Sequence, residues 1–147
     1  MEKIKTIIID DETPARELLR HMLKENEAID IISECADGFC ALKEIREQRP
    51  DLIFLDIQMP KLTGFELIEV LDWRPEVIFT TAYDQFAIKA FELNAIDYLL
   101  KPFSKSRLDE ALAKAVERIN RKETRNSSID ALVSHRPEES GPLTRIV

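Results

Sequence analysis

Apolar residues come in short blocks separated by longer amphipathic stretches. Ile4 to Ile9 is a β-branched run with the length of a strand, and it ends on Asp10, Asp11 and Glu12. Thr13-Pro14 then opens a helix, with Thr13 as its cap. Ala15, Leu18, Leu19, Met22 and Leu23 share one face of that helix. Ile29 to Cys35 reads as a second strand, and Asp37-Gly38 turns into a helix whose inward face is Ala41, Leu42 and Ile45. Leu52 to Leu55 is apolar throughout, as a strand buried on both faces must be, and it stops abruptly on Asp56.

The alternation continues. After Thr63-Gly64 a helix carries Phe65, Leu67, Ile68 and Leu71 as buried candidates. Val77 to Thr80 forms a fourth strand, followed by Thr81-Ala82. Gln85 to Leu93 forms a helix in which Phe91 is a core candidate, leaving at most two of Phe86, Ile88 and Phe91 exposed. Asp97 to Leu100 is a fifth strand, stopped by Lys101-Pro102. Ser104 caps a last helix, from Lys105 to about Arg121. Strands separated by helices require a parallel sheet with helices on both faces. The fold class is therefore α/β, a doubly wound (βα)5 five-stranded parallel sheet.

Beyond residue 121 the apolar period is lost. Residues 122–147 read as a polar linker, with Ile129, Leu132 and Val133 able to continue a turn of helix. The closing "LTRIV" reads as the first strand of a second, truncated domain. Charge sharpens this division. The chain carries −7, but residues 120–147 hold five Lys/Arg and four Asp/Glu, so residues 1–119 carry −8. A domain that acidic is a poor direct ligand for DNA or an anionic membrane. Cys35 and Cys40, with only His21 and His135 as further soft ligands, do not make a zinc site and read as reduced thiols. With no apolar run of signal or membrane length, the expected location is the cytoplasm.

In an open parallel sheet the ligand site lies beyond the carboxyl ends of the strands, where the winding reverses. In the strand order 2-1-3-4-5 that point gathers Asp10, Asp11 and Asp56, faced by Thr81 and Lys101. Three carboxylates this close need a cation, and an all-oxygen set suits Mg²⁺. Asp56 is then a carboxylate nucleophile able to form an acyl phosphate. Lys101 and Thr81 would hold the phosphoryl oxygens by charge and hydroxyl. A phosphatase using the same aspartate needs a second acid two residues on, where this chain has Gln58. Gly38, Gly64 and Gly141 form no phosphate-cradling loop for a nucleotide.

Asp10-Asp11, Asp56 in "DIQMP" with Gly64 beyond, Thr81-Ala82 and Lys101-Pro102-Phe103 together resemble the receiver domain of a two-component response regulator, over residues 3–121. The resemblance implies a flavodoxin-like receiver in residues 1–121. It implies a sensor histidine kinase as donor, Asp56 as phosphoacceptor, and Mg²⁺ on Asp10, Asp11, Asp56 and the backbone carbonyl of Gln58. It further implies a cis Lys101–Pro102 bond, and Tyr98 moving inward with Thr81 on phosphorylation. Such a receiver is a stoichiometric acceptor that assists its own phosphorylation and dephosphorylation rather than an enzyme. It is expected to form a homodimer through its fourth helix, fifth strand and fifth helix. The stretch from Thr80 to Phe103 is similar to receivers of the LytR/AlgR group, whose output is a LytTR DNA-binding domain. That similarity implies transcriptional control through a domain beyond Val147.

Overall fold

The computed structural model describes residues 2–134, with side chains to residue 124. Five parallel strands form one sheet: β1 (Ile4–Ile9), β2 (Ile29–Cys35), β3 (Leu52–Asp56), β4 (Glu76–Thr81) and β5 (Asp97–Leu100). Their order is β2-β1-β3-β4-β5. The helices between and after them are α1 (Thr13–Leu23), α2 (Gly38–Gln48), α3 (Gly64–Val70), α4 (Ala87–Glu92) and α5 (Lys105–Ser134). This is the doubly wound (βα)5 arrangement expected from the sequence.

Burial along each strand follows its place in the sheet. Every residue of β3 is buried, and β1 and β4 nearly so, because helices cover both of their faces. The edge strands β2 and β5 are less covered, most of their residues being half-buried or exposed. On one face Ile7, Ile9, Ile53, Leu55, Val77 and Phe79 pack with Ala41, Ile45 and Leu67 from α2 and α3. Alternation puts Ile8, Phe54 and Ile78, all buried, on the other face, the side of α1 and α5.

Local sequence explains most element ends. Asp37 caps α2 by accepting the Cys40 N–H at 2.8 Å. Thr63 and Glu66 cap α3 reciprocally, the Thr63 hydroxyl taking the Glu66 N–H while the Glu66 carboxylate takes the Thr63 N–H. Helix α1 departs from expectation, since Thr13 is its first residue and Glu12 stands at the cap without a side-chain bond. The Thr13 hydroxyl instead accepts from Arg16 at 3.1 Å.

Three further differences have physical causes. Strands β3 and β4 each run one residue further than their apolar cores, so Asp56 and Thr81 are the last residues of strands rather than the first of loops. The fourth helix is a 3₁₀ turn (Asp84–Phe86) followed by the six residues of α4. Phe91, expected in the core, is 84% exposed. Ala90 takes the inward position, Phe86 and Leu93 pack beside it, and Phe91 shares the outward face with Ile88, three residues away. Finally, α5 does not stop near Arg121 but continues to Ser134, where a linker was expected. Residues 122–134 lack an apolar period, yet they contain no proline or glycine to end a helix. The "LTRIV" segment and His135 lie outside the described residues.

By its internal contacts the chain forms two units, Met1–Val116 and Glu117–Val147. The first contains the whole sheet. In the second, Arg121 pairs with Glu117 one helical turn away, at 3.8 Å. Among the described residues no helix is long and apolar enough to cross a membrane.

Candidate functional site

The topology delivers the acids to one place. Strands β1 and β3 are neighbours, with Ile9 opposite Leu55, so Asp10 and Asp56 emerge side by side at their carboxyl ends. Asp10, Asp11 and Asp56 each offer a carboxylate oxygen within 4.8 Å of the others. Asp10 and Asp56 are only 5% and 4% exposed. Lys101, from the end of β5, reaches across with Nζ 2.8 Å from Asp10 Oδ2 and 3.8 Å from Asp56 Oδ2. The Lys101–Pro102 peptide is cis.

Each acid is held differently. The second oxygen of Asp10, Oδ1, accepts the Glu12 N–H at 3.0 Å, while Arg16 from α1 donates to the Asp10 carbonyl at 2.7 Å. Asp56 has less support: the Gln58 N–H reaches Oδ1 at 3.3 Å, and Lys101 stands 3.8 Å from Oδ2. Burial therefore pushes the Asp56 carboxyl up to about 7, the nearby Asp10 charge adding to it and Lys101 only partly opposing it. Burial works against the charge on Lys101 as well, but Asp10 and Asp56 outweigh it and raise the ammonium further. Three carboxylates and one ammonium leave an excess of negative charge, with Asp10 and Asp56 buried and Asp11 more open to solvent. An all-oxygen cluster of that charge fits a hard divalent cation such as Mg²⁺.

Gly64 makes the corner possible. Its N–H donates to the Ile57 carbonyl at 2.9 Å, folding the chain back over the end of β3. A Cβ at Gly64 would lie 2.6 Å from the Asp56 carbonyl oxygen, closer than a side chain can sit against backbone, and would crowd Ile57 Cα at 3.1 Å.

Thr81, fully buried, ends β4 next to this cluster, and the Lys101 N–H donates to its carbonyl at 2.7 Å. The Thr81 hydroxyl accepts the Tyr83 N–H at 3.2 Å. Tyr98 does not join the acids. Its ring packs against the core, and its hydroxyl donates to the carbonyl of Tyr83. Both sides of Tyr83 are thus engaged, one by Thr81 and one by Tyr98. This backbone bridge was not legible in the sequence, which shows the side chain of Tyr83 but not the partners of its peptide groups. Arg16 was missed too, although its place one turn into α1 is a readable signal that it can reach back over the end of β1.

Comparisons with known proteins bear on the family and the fold. Residues 6–113 match the family model described as "Response regulator receiver domain". The chain belongs to that family. Among its relatives is the transcriptional regulatory protein BtsR of Escherichia coli (strain K12), 48% identical over 113 residues, which cover 76% of this chain and 47% of BtsR. An uncharacterized response regulatory protein of Vibrio cholerae serotype O1 is 42% identical over 144 residues, covering 97% of this chain and 54% of that protein. The chain spans about half the length of the curated relatives it matches. The response regulatory domain of mrkE from Klebsiella pneumoniae superposes with a TM-score of 0.74 at 35% identity, covering 80% of this chain and 99% of that one. The REC domain of AraT from Geobacillus stearothermophilus gives 0.75 at 34% identity, covering 82% and 98%.

Proposed function

We propose that this receiver is a phosphorylation-dependent switch that takes a phosphoryl group onto Asp56 from the phosphohistidine of a sensor kinase. The observation that carries this is the state of Asp56: a buried strand-end carboxylate, short of hydrogen bonds, with two further acids and one ammonium around it. An Asp56 oxygen attacks phosphorus as the bond from phosphorus to the imidazole nitrogen breaks, leaving an acyl phosphate. The Lys101 ammonium binds a phosphoryl oxygen, and the Thr81 hydroxyl donates to another. Asp10, Asp11, Asp56 and the backbone carbonyl of Gln58 would hold Mg²⁺, which supplies positive charge against the incoming phosphoryl oxygens. The protein acts as a stoichiometric acceptor, since Gln58 stands where a phosphatase of this chemistry would carry its second acid.

The response is a change of partners around Tyr83. Thr81 gives up the Tyr83 N–H to reach the phosphoryl group, which frees Tyr98 to follow. The face affected is that of α4, β5 and the first part of α5, where Ile88, Phe91 and Leu100 are exposed. This face is the proposed homodimer surface. The name of BtsR supports an output in transcription, and the Thr80–Phe103 resemblance supports the LytR/AlgR group. DNA would then be bound by a LytTR domain beyond residue 147, with residues 122–147 leading to it, in the cytoplasm.

Acetyl phosphate with Mg²⁺ is expected to add one phosphoryl group per chain. Asp56→Asn, or removal of the metal, is expected to abolish it; labelling that survives either change overturns the assignment. Beryllofluoride is expected to raise the solution mass to that of a dimer, and an unchanged mass overturns the dimer.

A further inference from the structure

Cys35 and Cys40 take no part in the phosphoryl chemistry, yet the fold brings them together. Cys35 ends β2 and is buried, whereas Cys40 stands in the first turn of α2 and is partly exposed. Their Sγ atoms lie 2.8 Å apart. Non-bonded carbons settle at about 3.5–4.0 Å, and sulfur is larger than carbon, so this pair already sits inside ordinary contact distance. A disulfide bond needs about 2.05 Å, a closure of under an ångström.

The approach does not depend on a loose loop. The Cys35 carbonyl accepts the Asp10 N–H at 3.0 Å, and Cys35 pairs in register with Ile9. The Cys40 N–H is held at 2.8 Å by the Asp37 carboxylate, and the Ala41 N–H by the Asp37 carbonyl at 3.1 Å. Gly38, between the two cysteines, abuts Leu62 so closely that a Cβ there would lie 2.7 Å from Leu62 Cδ2. The backbone is held at both cysteines, and their sulfurs are already in contact. Burial, with Cys40 adding to it, pushes the Cys35 thiol well up, which makes it the slower of the two to react with an oxidant. Cys40 is the sulfur that meets solvent first.

We propose that Cys35 and Cys40 form a reversible intrachain disulfide, closed by a peroxide and reopened by low-molecular-weight thiols. The Cys40 sulfur attacks one peroxide oxygen, the O–O bond breaks, and the other oxygen leaves as water with the Cys40 proton. Cys40 is now a sulfenic acid. The Cys35 sulfur then attacks the Cys40 sulfur, the S–O bond breaks, and the hydroxyl leaves with the Cys35 proton as a second water. Two thiols lose two electrons and two protons, and the peroxide is reduced to two waters. The bond ties β2 to α2, one backbone hydrogen bond away from Asp10.

The test uses the whole folded chain, treated with hydrogen peroxide, then unfolded, alkylated with iodoacetamide, weighed intact and digested with chymotrypsin, which cuts after Phe39 between the two cysteines. The expected result is loss of both alkylatable thiols, a single cross-linked peptide joining Cys35 to Cys40, and recovery of both thiols after dithiothreitol. In Cys40→Ser, whose substitution lies at the solvent side, Cys35 is expected to remain a free thiol through the same treatment. The proposal is overturned if both thiols still alkylate after peroxide, if Cys40 accumulates as sulfenic or sulfinic acid without a cross-link, or if the link joins two chains.

Discussion

Asp56 and Asp97 are both acids in the same sheet, and they are treated in opposite ways. Asp56 ends β3 at the centre and receives one weak backbone donor and a lysine at 3.8 Å, so burial drives its carboxyl up to about 7. Asp97 begins β5 at the edge, where burial also works against its charge. There two Arg107 nitrogens at 2.9 and 2.7 Å, the Tyr98 N–H at 2.8 Å and Lys114 at 3.1 Å overcome it and hold the carboxyl at about 2. A carboxylate supplied with all its donors is a structural clamp, here joining β5 to α5. One left short of donors beside other acids is poised for a cation and for chemistry.

The contrast can be broken from either side. The largest effect is expected on the Asp56 side, where Lys101→Ala should slow labelling by acetyl phosphate about 10²-fold or more, as loss of a charged transition-state donor does. A phosphorylation time course checks this. On the other side, Asp97→Asn should leave labelling nearly intact but cost about 1.5–3 kcal/mol of stability, the worth of hydrogen bonds to a charged group. Urea unfolding measures that loss.

The pH dependence follows with a definite sign. The Asp97 carboxyl is lower in the folded chain, about 2, than its ordinary 3.8. Its contribution is therefore fully present above pH 3.8 and disappears as pH falls through 2, a loss of about 2 kcal/mol. Asp97→Asn should flatten that part of the acid unfolding curve. The smallest effect is a gain: without divalent cation, Asp56→Asn should stabilise the fold by about 1–2 kcal/mol, because it removes a buried charge from beside Asp10. Thermal unfolding in chelator checks this, and destabilisation would mean that Asp56 is better paired than its neighbours suggest.

The acid side was the more legible half in the sequence. Asp10, Asp11, Asp56, Thr81 and Lys101 each follow an apolar strand run, so strand periodicity and the rule for parallel sheets place them together without coordinates. The clamp was not legible, because Asp97, Arg107 and Lys114 look like ordinary surface charges until β5 and α5 are set side by side. The same holds for the Tyr83 bridge, made of backbone groups that every residue has. Phe91 misled because a large aromatic in a short helix reads as core, whereas the six residues of α4 have room for only one inward position, and Ala90 holds it. The length of α5 was hidden for a different reason, since a polar stretch without breakers gives neither a helical stripe nor a stop.

The central claim is that Asp56, among three neighbouring acids, is the one that carries the phosphoryl group. Borohydride converts an acyl phosphate to the corresponding alcohol, so a phosphorylated aspartate is trapped as homoserine. After labelling with acetyl phosphate and Mg²⁺, reduction and peptide sequencing should find homoserine at position 56 and aspartate intact at positions 10 and 11. Homoserine at position 10 or 11, or at none of the three, would contradict the account.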